Sequence, residues 1–188
     1  MKRHTHALRM FRSDTPPIVS IVGRSNSGKT TFVVKLIAEL TERGFRVGTI
    51  KHDVHGFEMD RPGKDSWRHK QAGARTTIIS SPNQIGMVKD VDYDHQPEEL
   101  IPFLLMMDII ITEGYKRSQL PKLEVFRAEI HEAPFCNGDP NLLALISNDP
   151  IDLGVPRFSS EEIEEVTEFL IEHFSLSQSV LQKYTKSA

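Results

Sequence analysis

The feature that most constrains the fold of this chain is a glycine-bounded loop between an apolar strand and an amphipathic helix. Residues 18–40 read IVSIVGRSNSGKTTFVVKLIAEL, which contains the pattern G-x-x-x-x-G-K-T. In such a loop, successive backbone N–H groups and the following helix N-terminus surround a phosphate, because glycine lets the backbone approach it closely. The pattern predicts a nucleoside triphosphate site formed by Gly23, Arg24, Ser25, Asn26, Ser27, Gly28, Lys29, Thr30 and Thr31.

Around this loop, short apolar runs alternate with helical periodicity, which predicts a mostly parallel sheet flanked by helices. The predicted strands are 18–22, 46–52, 108–112, 122–126 and 142–147, and the predicted helices are about 30–43, 65–72, 96–107 and 159–174. The runs TTIISS and IGMVKD flank Pro82 and Asn83 and predict an inserted β-hairpin. We therefore expect an α/β fold of the P-loop NTPase type, with a single domain at 18–174, a mobile arm at 1–17 and a tail at 175–188.

Composition limits the ligands and the setting of the protein. The formal net charge is -3, so the chain lacks the strongly basic balance that sequence-independent nucleic-acid binding requires. The single cysteine, Cys136, excludes an internal disulfide and fits a reducing, cytoplasmic setting. No stretch approaches the roughly 20 apolar residues that span a bilayer. We expect small-molecule or protein ligands, and neither nucleic acid nor membrane as a partner.

Two acidic residues follow predicted strands. The apolar run of MDIIITEGYK ends at Glu113, and Asp53 follows the second strand. A strand-terminal carboxylate of this kind holds Mg²⁺ or senses the γ-phosphate beside the loop hydroxyl. We therefore predict a magnesium site of Thr30, Asp53 and Glu113, in which the two carboxylates are the catalytic groups. The alternatives are a solvated strand-terminal carboxylate for Glu113 and a turn-starting aspartate for Asp53.

A second group of charged residues lies between positions 51 and 74. The predicted second anion or substrate site consists of Arg61, Lys64, Arg68 and His69. Lys64 and Arg68 are four apart on a predicted helix and would share a face able to clamp an anion. A solvated helix face with i,i+4 ion pairs is an equally weighted alternative. A zinc site is less favoured because its spacing is loose, with candidate ligands His52, His55 and Glu58.

Taken together, these stretches resemble the molybdopterin-guanine dinucleotide biosynthesis protein B family, MobB, from about Ile18 to Phe174. The resemblance rests on GRSNSGKTT, on KHDVHGFEMDRPGKDSWRHKQAGA, and on TEGYK followed within ten residues by PKLEVFR. It implies a GTP-binding homodimer that assists the guanylyltransferase attaching GMP to a molybdopterin precursor, with weak GTP hydrolysis of its own. The cofactors expected on this basis and from the loop are GTP and Mg²⁺.

The resemblance also carries over to individual positions. Gly28, Lys29, Thr30 and Thr31 match the nucleotide loop of the family, and Glu113 with Gly114 matches its second nucleotide motif. The guanine-reading sequence N-K-x-D of many GTPases is absent from this chain. Its nearest substitute is Asn148 with Asp149 after LLALIS, where the aspartate could accept hydrogen bonds from guanine N1 and N2. The preference for GTP over ATP is therefore implied by the resemblance.

Two functions from different classes would use the same loop. In the leading hypothesis the chain is an accessory GTPase, whose nucleotide occupancy sets the engagement of the partner enzyme by the homodimer. The alternative is a small-molecule kinase with its acceptor bound near Asp53. Such kinases usually carry an arginine-rich lid, whereas the cations between 113 and 142 straddle a predicted strand and are Lys116, Arg117, Lys122 and Arg127. A scaffold with a vestigial loop is a third possibility and predicts no nucleotide binding.

Overall fold

A computed structural model describes residues 15–177 and shows a six-stranded parallel sheet with helices on both faces, together with a separate β-hairpin. The strands are β1 (Ile18–Val22), β2 (Val47–Lys51), β3 (Thr76–Ser80), β4 (Ile85–Lys89), β5 (Ile109–Glu113), β6 (Lys122–Val125), β7 (Leu142–Ile146) and β8 (Arg157–Phe158). The helices are α1 (Lys29–Glu42), α2 (Asp65–Gln71), α3 (Pro97–Leu100) and α4 (Ile163–His173), with a 3₁₀ turn at Ile101–Phe103. The predicted α/β class, parallel sheet and hairpin are confirmed.

The main sheet has the strand order β2-β5-β1-β6-β7-β8, with β1 near its centre. All five residues of β1 are buried, as expected for a parallel strand covered on both faces. On one face α1 buries Phe32, Val33, Leu36 and Leu40 against a core shared with α4. The amphipathic character predicted for this helix is thus confirmed, and Ile37 packs half-buried against the same core. The carboxyl ends of the parallel strands meet at one edge of the sheet, where open α/β sheets bind their ligands.

Two predicted helices are shorter in the structure. The segment predicted as a helix at 96–107 is helical only at Pro97–Leu100 before the 3₁₀ turn. Pro102 lacks a backbone N–H and disfavours the α conformation of the residue before it, so the longer helix cannot form. The last helix begins at Ile163 and not at Ser159. Ser159 and Glu162 have the spacing of a capping box, and half of that box is present, because Ser159 N–H donates to Glu162 Oε2 at 2.6 Å.

The chain packs as two compact units. Residues 53–96 form one unit, which contains α2 and the hairpin, and the remaining described residues form the other. The hairpin is antiparallel from Thr76↔Lys89 to Ser80↔Ile85 and makes its own two-stranded sheet. Most of the arm predicted at 1–17 and of the tail predicted at 175–188 lies outside the described residues. Between residues 15 and 177, no helix has the length and apolar character needed to cross a membrane.

Candidate functional site

The loop after β1 has a backbone that only particular residues can adopt. Gly23 has φ +142°, and a Cβ added there would lie 2.4 Å from the carbonyl oxygen of Val125. Gly28, which caps α1, has φ +93°, and Asn26 has φ +64°. Left-handed conformations of this kind favour glycine and are tolerated by asparagine. The loop is therefore bounded by glycine because its backbone turns tightly against the end of β6.

Inside the loop, polar groups are arranged around a position where an anion would be stabilised. Lys29 Nζ donates to the carbonyl oxygen of Arg24 at 2.6 Å. Burial lowers the pKa of Lys29, nearby Lys116 lowers it further, and Glu113 opposes the change. Ser27 is 1% exposed, and its Oγ has no hydrogen-bond partner among residues 15–177. A desolvated ammonium and an unpaired buried hydroxyl both gain from a bound phosphate.

The predicted pairing of the loop hydroxyl with a strand-terminal carboxylate is present. The β1–β5 register places Glu113 level with Ile21, at the carboxyl end of both strands. Thr30 Oγ1 donates to Glu113 Oε1 at 2.6 Å. A hydroxyl and a carboxylate are the hard oxygen ligands that Mg²⁺ prefers, so these two side chains fit a magnesium ion. In such a site Thr30 would bind the metal directly and Glu113 would bind a metal-coordinated water.

Glu113 is held in place by the two residues that follow it and by the end of β2. Gly114 has φ +113°, and its N–H donates to the carbonyl oxygen of Ile21 at 3.2 Å. An added Cβ at Gly114 would lie 3.0 Å from the Cβ of His52. The His52 ring stacks on Tyr115, with ring centroids 4.3 Å apart. The T-E-G-Y sequence therefore forms a close junction of the end of β5 with β1 and with the end of β2.

Asp53 begins the unit of residues 53–96 and takes part in a local turn. Its Oδ1 accepts the His55 N–H at 3.0 Å, as in an Asx turn. The turn considered as the alternative for Asp53 is thus present, and its role in the magnesium site stays a prediction. Among residues 15–177, no group of three or more His, Cys, Asp or Glu side chains is arranged to hold a metal ion. The zinc alternative at His52, His55 and Glu58 therefore gains no support.

A cleft of about 370 Å³ adjoins the loop on the side of α1. Its lining comprises Ser27, Gly28, Thr31, Phe32, Lys35, Val125, Phe126, Arg127, Glu129, Ile146, Ser147, Asn148, Asp149, Ser160 and Glu161. The cleft thus brings the predicted base-reading pair, Asn148 and Asp149, to the same cavity as Thr31 and the end of the loop. Its position beside the phosphate loop suits the nucleoside part of a nucleotide.

Asn148 and Asp149 also hold neighbouring segments in place. Asp149 Oδ2 accepts the Ala128 N–H at 2.8 Å, and Asn148 Oδ1 accepts the Ser160 N–H at 3.0 Å. These bonds tie the segments that follow β6 and β8 to the end of β7. The amide nitrogen of Asn148 is a donor suited to guanine O6 or N7. Asp149 combines a structural bond with the carboxylate chemistry that the sequence predicts for base recognition.

Two buried charges on β6 were not predicted from the sequence. Lys122 and Glu124, both 1% exposed, lie two residues apart and therefore on the same face of the strand. Lys122 Nζ donates to Asp139 Oδ2 at 2.7 Å, and Glu124 accepts the N–H groups of Phe135 and Cys136 at 2.6 and 2.7 Å. The alternation of charged and apolar residues in KLEV was the available signal. Because Lys122 is buried in a pair, it cannot serve the lid that a kinase would require.

These bonds fix the segment between β6 and β7, which reaches the phosphate loop. His131 Nε2 lies 2.9 Å from the carbonyl oxygen of Ser25 and donates to it in the tautomer that carries a proton on Nε2. Arg127, in the same segment, lines the cleft and pairs with Glu129 at 2.6 Å. Burial, followed by the charge of Glu124, raises the pKa of Cys136 to about 12, so this thiol is unreactive. The segment thus supports both the loop and the cleft.

The unit of residues 53–96 contains a second cleft, of about 640 Å³. Three of the four residues predicted for a second anion site line it, namely Arg61, Lys64 and His69. Arg68 is not among its lining residues, and its side chain is 71% exposed at 4.0 Å from Asp65. The structure therefore brings part of the predicted site together and leaves Arg68 on the solvated helix surface that was the alternative.

The sequence and fold are similar to those of known proteins. A family profile described as Molybdopterin guanine dinucleotide synthesis protein B matches residues 18–148. The molybdopterin-guanine dinucleotide biosynthesis adapter protein of Haemophilus influenzae is 32% identical over 172 residues, covering 88% of this chain and 95% of that protein. Its Escherichia coli namesake is 31% identical over 163 residues, covering 83% and 92%. The crystal structure of Bacillus subtilis MobB aligns with a TM-score of 0.69 at 27% identity, covering 87% and 99%.

Proposed function

Because this chain belongs to the molybdopterin guanine dinucleotide synthesis protein B family, we propose that it is an adapter in molybdopterin-guanine dinucleotide biosynthesis whose partner binding depends on GTP and Mg²⁺. The observation that supports this most is the 2.6 Å hydrogen bond between Thr30 Oγ1 and Glu113 Oε1 at the mouth of the phosphate loop. It joins two oxygen ligands suited to Mg²⁺ within the reach of Lys29. A scaffold with a vestigial loop would not require these two side chains to be paired at this position.

Each residue of the site has a separate role in nucleotide binding. The loop N–H groups and Lys29 bind the phosphates, and Thr30 with Glu113 holds the metal ion that neutralises part of their charge. Thr31 faces the α-phosphate, and the cleft beyond it takes the nucleoside, with Asn148 and Asp149 reading guanine. Hydrolysis is slow in this proposal, because the Glu113 carboxylate is engaged by the Thr30 hydroxyl and would serve the metal ion instead of an attacking water.

The adapter works as a homodimer formed along the edge of β4 that faces away from β3. A two-stranded hairpin is marginally stable alone, and an exposed strand edge pairs readily with another chain. Ile85 and Met87 on β4 are large apolar side chains that are 74% and 39% exposed. Met87 lies opposite Ile78 in the hairpin, and this is a pair without hydrogen bonds between its two residues. The N–H and C=O groups of Met87 therefore point away from β3, toward the outer edge of β4. A second copy of β4 would cover both the side chains and the backbone groups.

Light scattering at micromolar concentration tests the dimer. We expect twice the mass of one chain for the wild type and the mass of one chain for Met87→Pro. The substitution removes an N–H that the hairpin itself does not use, so the hairpin is retained while its edge is blocked. A monomeric wild type, with or without GTP, would contradict the proposed assembly.

Binding to the purified molybdopterin guanylyltransferase, measured by surface plasmon resonance, tests the nucleotide dependence. We expect binding that requires Mg²⁺ with GTP or a non-hydrolysable GTP analogue, and that is lost in Thr30→Ala. The control is Thr41→Ala, which changes an exposed threonine on the same helix. If the enzyme binds equally well with no nucleotide, the GTP dependence is wrong and only the adapter role remains.

A further inference from the structure

The cleft in the unit of residues 53–96 is lined by both basic and apolar residues. The basic residues are Arg61, Lys64 and His69, and the apolar residues are Met59, Ile78 and Ile79. Two acids also line it: Asp60 Oδ1 accepts the backbone N–H of Arg61 at 2.8 Å and does not engage its guanidinium, and Asp65 lies 4.0 Å from Arg68. Among residues 15–177, neither Arg61 nor Lys64 pairs with a carboxylate. Two positive charges in the cleft are thus available to an anion.

The edge of β3 that faces away from β4 forms another part of the cleft, and its backbone groups have no partner strand among residues 15–177. The bonds that close the two ends of the hairpin are Ser81 N–H to Gln84 O at 2.9 Å and Asp90 N–H to Arg75 O at 2.8 Å. Because bonded and non-bonded pairs alternate along an antiparallel ladder, the backbone groups of Ile78 and Ser80 point away from β4. Both residues line the cleft. The edge of β3 therefore offers alternating N–H donors and C=O acceptors beside an apolar surface.

These three features together specify the chemistry of a ligand. An edge with alternating donors and acceptors complements the adjacent N–H and C=O groups of a pterin ring, and apolar lining residues such as Met59 complement the face of the ring. The cations complement a phosphate, for which Arg and Lys are the usual protein ligands. An inorganic anion would leave the apolar wall and the strand edge unused, and an acidic protein surface would use only the cations.

We propose that this cleft binds a phosphorylated pterin, with Arg61 and Lys64 on the phosphate and the edge of β3 on the ring. The inference rests on the proposed function, since it gives the adapter a place for the precursor of the dinucleotide. It adds a binding site that is separate in sequence from the loop at 23–31. Arg68, which lies outside the cleft lining, has no part in it.

Neopterin monophosphate is a suitable probe, with amide chemical shifts of the full-length protein as the site-resolved measurement. We expect shifts among residues 59–80 and none among residues 23–31. The double change Arg61→Ala with Lys64→Ala should weaken binding at least roughly a hundredfold, because each charge-assisted contact is lost. Both side chains are exposed, so the fold is retained. Arg75→Ala is the control, because it removes a positive charge that pairs with Asp92 outside the cleft.

Two further probes separate the parts of the ligand. Unphosphorylated neopterin and inorganic phosphate should both bind more weakly than neopterin monophosphate, with shifts at the same residues. The proposal is overturned if the shifts fall only among residues 23–31, if the double variant binds like the wild type, or if the probe does not bind. It is also overturned if the double variant binds neopterin monophosphate normally and loses only its binding to the guanylyltransferase, since the cleft would then bind a protein. GTP added to the same samples tests the loop independently, through residues 23–31.

Discussion

Replacing Glu113 by glutamine separates a metal-binding role of this residue from a structural one. In the wild type, Thr30 Oγ1 donates a hydrogen bond to Glu113 Oε1 at 2.6 Å. The amide of glutamine keeps the side-chain size and an oxygen that can accept this bond, but it removes the charge. A hydrogen bond or contact to a charged group contributes about 1.5 to 3 kcal/mol, which corresponds to a factor of about 10 to 160 in affinity. We expect a loss of this size in GTP affinity when Mg²⁺ is present. Without Mg²⁺ the affinity should not fall, because a carboxylate near the phosphates is repulsive.

Calorimetric titrations of GTP with and without Mg²⁺ measure both quantities. The matched control is Glu165→Gln, which neutralises an exposed glutamate on α4 and should change neither affinity. The affinities of the wild type and of Glu113→Gln, each with and without Mg²⁺, together isolate the coupling between Glu113 and the metal ion. If Glu113→Gln weakens GTP equally with and without Mg²⁺, the residue supports the loop and does not serve the metal site, and the reasoning fails.

Three further changes test other parts of the structure. Asp139→Asn should lower the free energy of unfolding by about 3 to 5 kcal/mol in urea, because it leaves Lys122 buried without its carboxylate; a loss below about 1 kcal/mol would contradict this. Burial is the largest influence on the pKa of Asp139 and would raise it, but the hydrogen bond and charge of Lys122 together with the hydrogen bonds from Asn141 outweigh burial and lower that pKa. The ion pair therefore stabilises the protein fully above the pKa of an unfolded aspartate, and this stabilisation declines as the pH falls through the lower pKa of folded Asp139. Asp139→Asn should lack this decline in acid titrations. Gly23→Ala should abolish GTP binding in the same calorimetric assay, because its Cβ would lie 2.4 Å from the Val125 carbonyl oxygen; unchanged binding would refute the required close approach. Asp149→Asn keeps an oxygen for the Ala128 N–H, so it should reduce the preference for GTP over ATP about tenfold without unfolding the protein, and an unchanged preference would exclude base reading.

The loop and the strands were predictable because their signals are local. The bounds of β1 agree with the sequence at both ends, Ile18 and Val22, since a continuous apolar run meets a glycine there. The position of Glu113 beside Thr30 followed from a general rule, because parallel strands end at one edge of the sheet. At 96–107 two local signals conflict, since the apolar periodicity favours one long helix and Pro102 lacks the N–H that this helix needs; the effect of the proline prevails.

The remaining features depend on contacts between distant segments. A sequence shows Lys122 and Glu124 as charges in a strand, but it does not show that residues 135–139 return to pair with them. The same holds for His131, whose bond to Ser25 spans 106 positions. Arg68 shares a helix with His69, yet only His69 lines the second cleft, because the side chains of adjacent helical residues point about 100° apart. Local patterns thus predicted the elements and the loop, while the lining of both clefts required the fold.

The most direct test of the nucleotide site is a calorimetric titration of GTP, in the presence of Mg²⁺, into the wild type and into Lys29→Ala. Lys29 contributes charge to the ligand and little to the core, since it is not among the buried core residues. We expect the wild type to bind GTP more tightly than ATP, and Lys29→Ala to show no measurable binding while its circular dichroism spectrum is unchanged. Wild-type affinity in Lys29→Ala, or no binding by the wild type, would contradict the assignment of the loop as a GTP site.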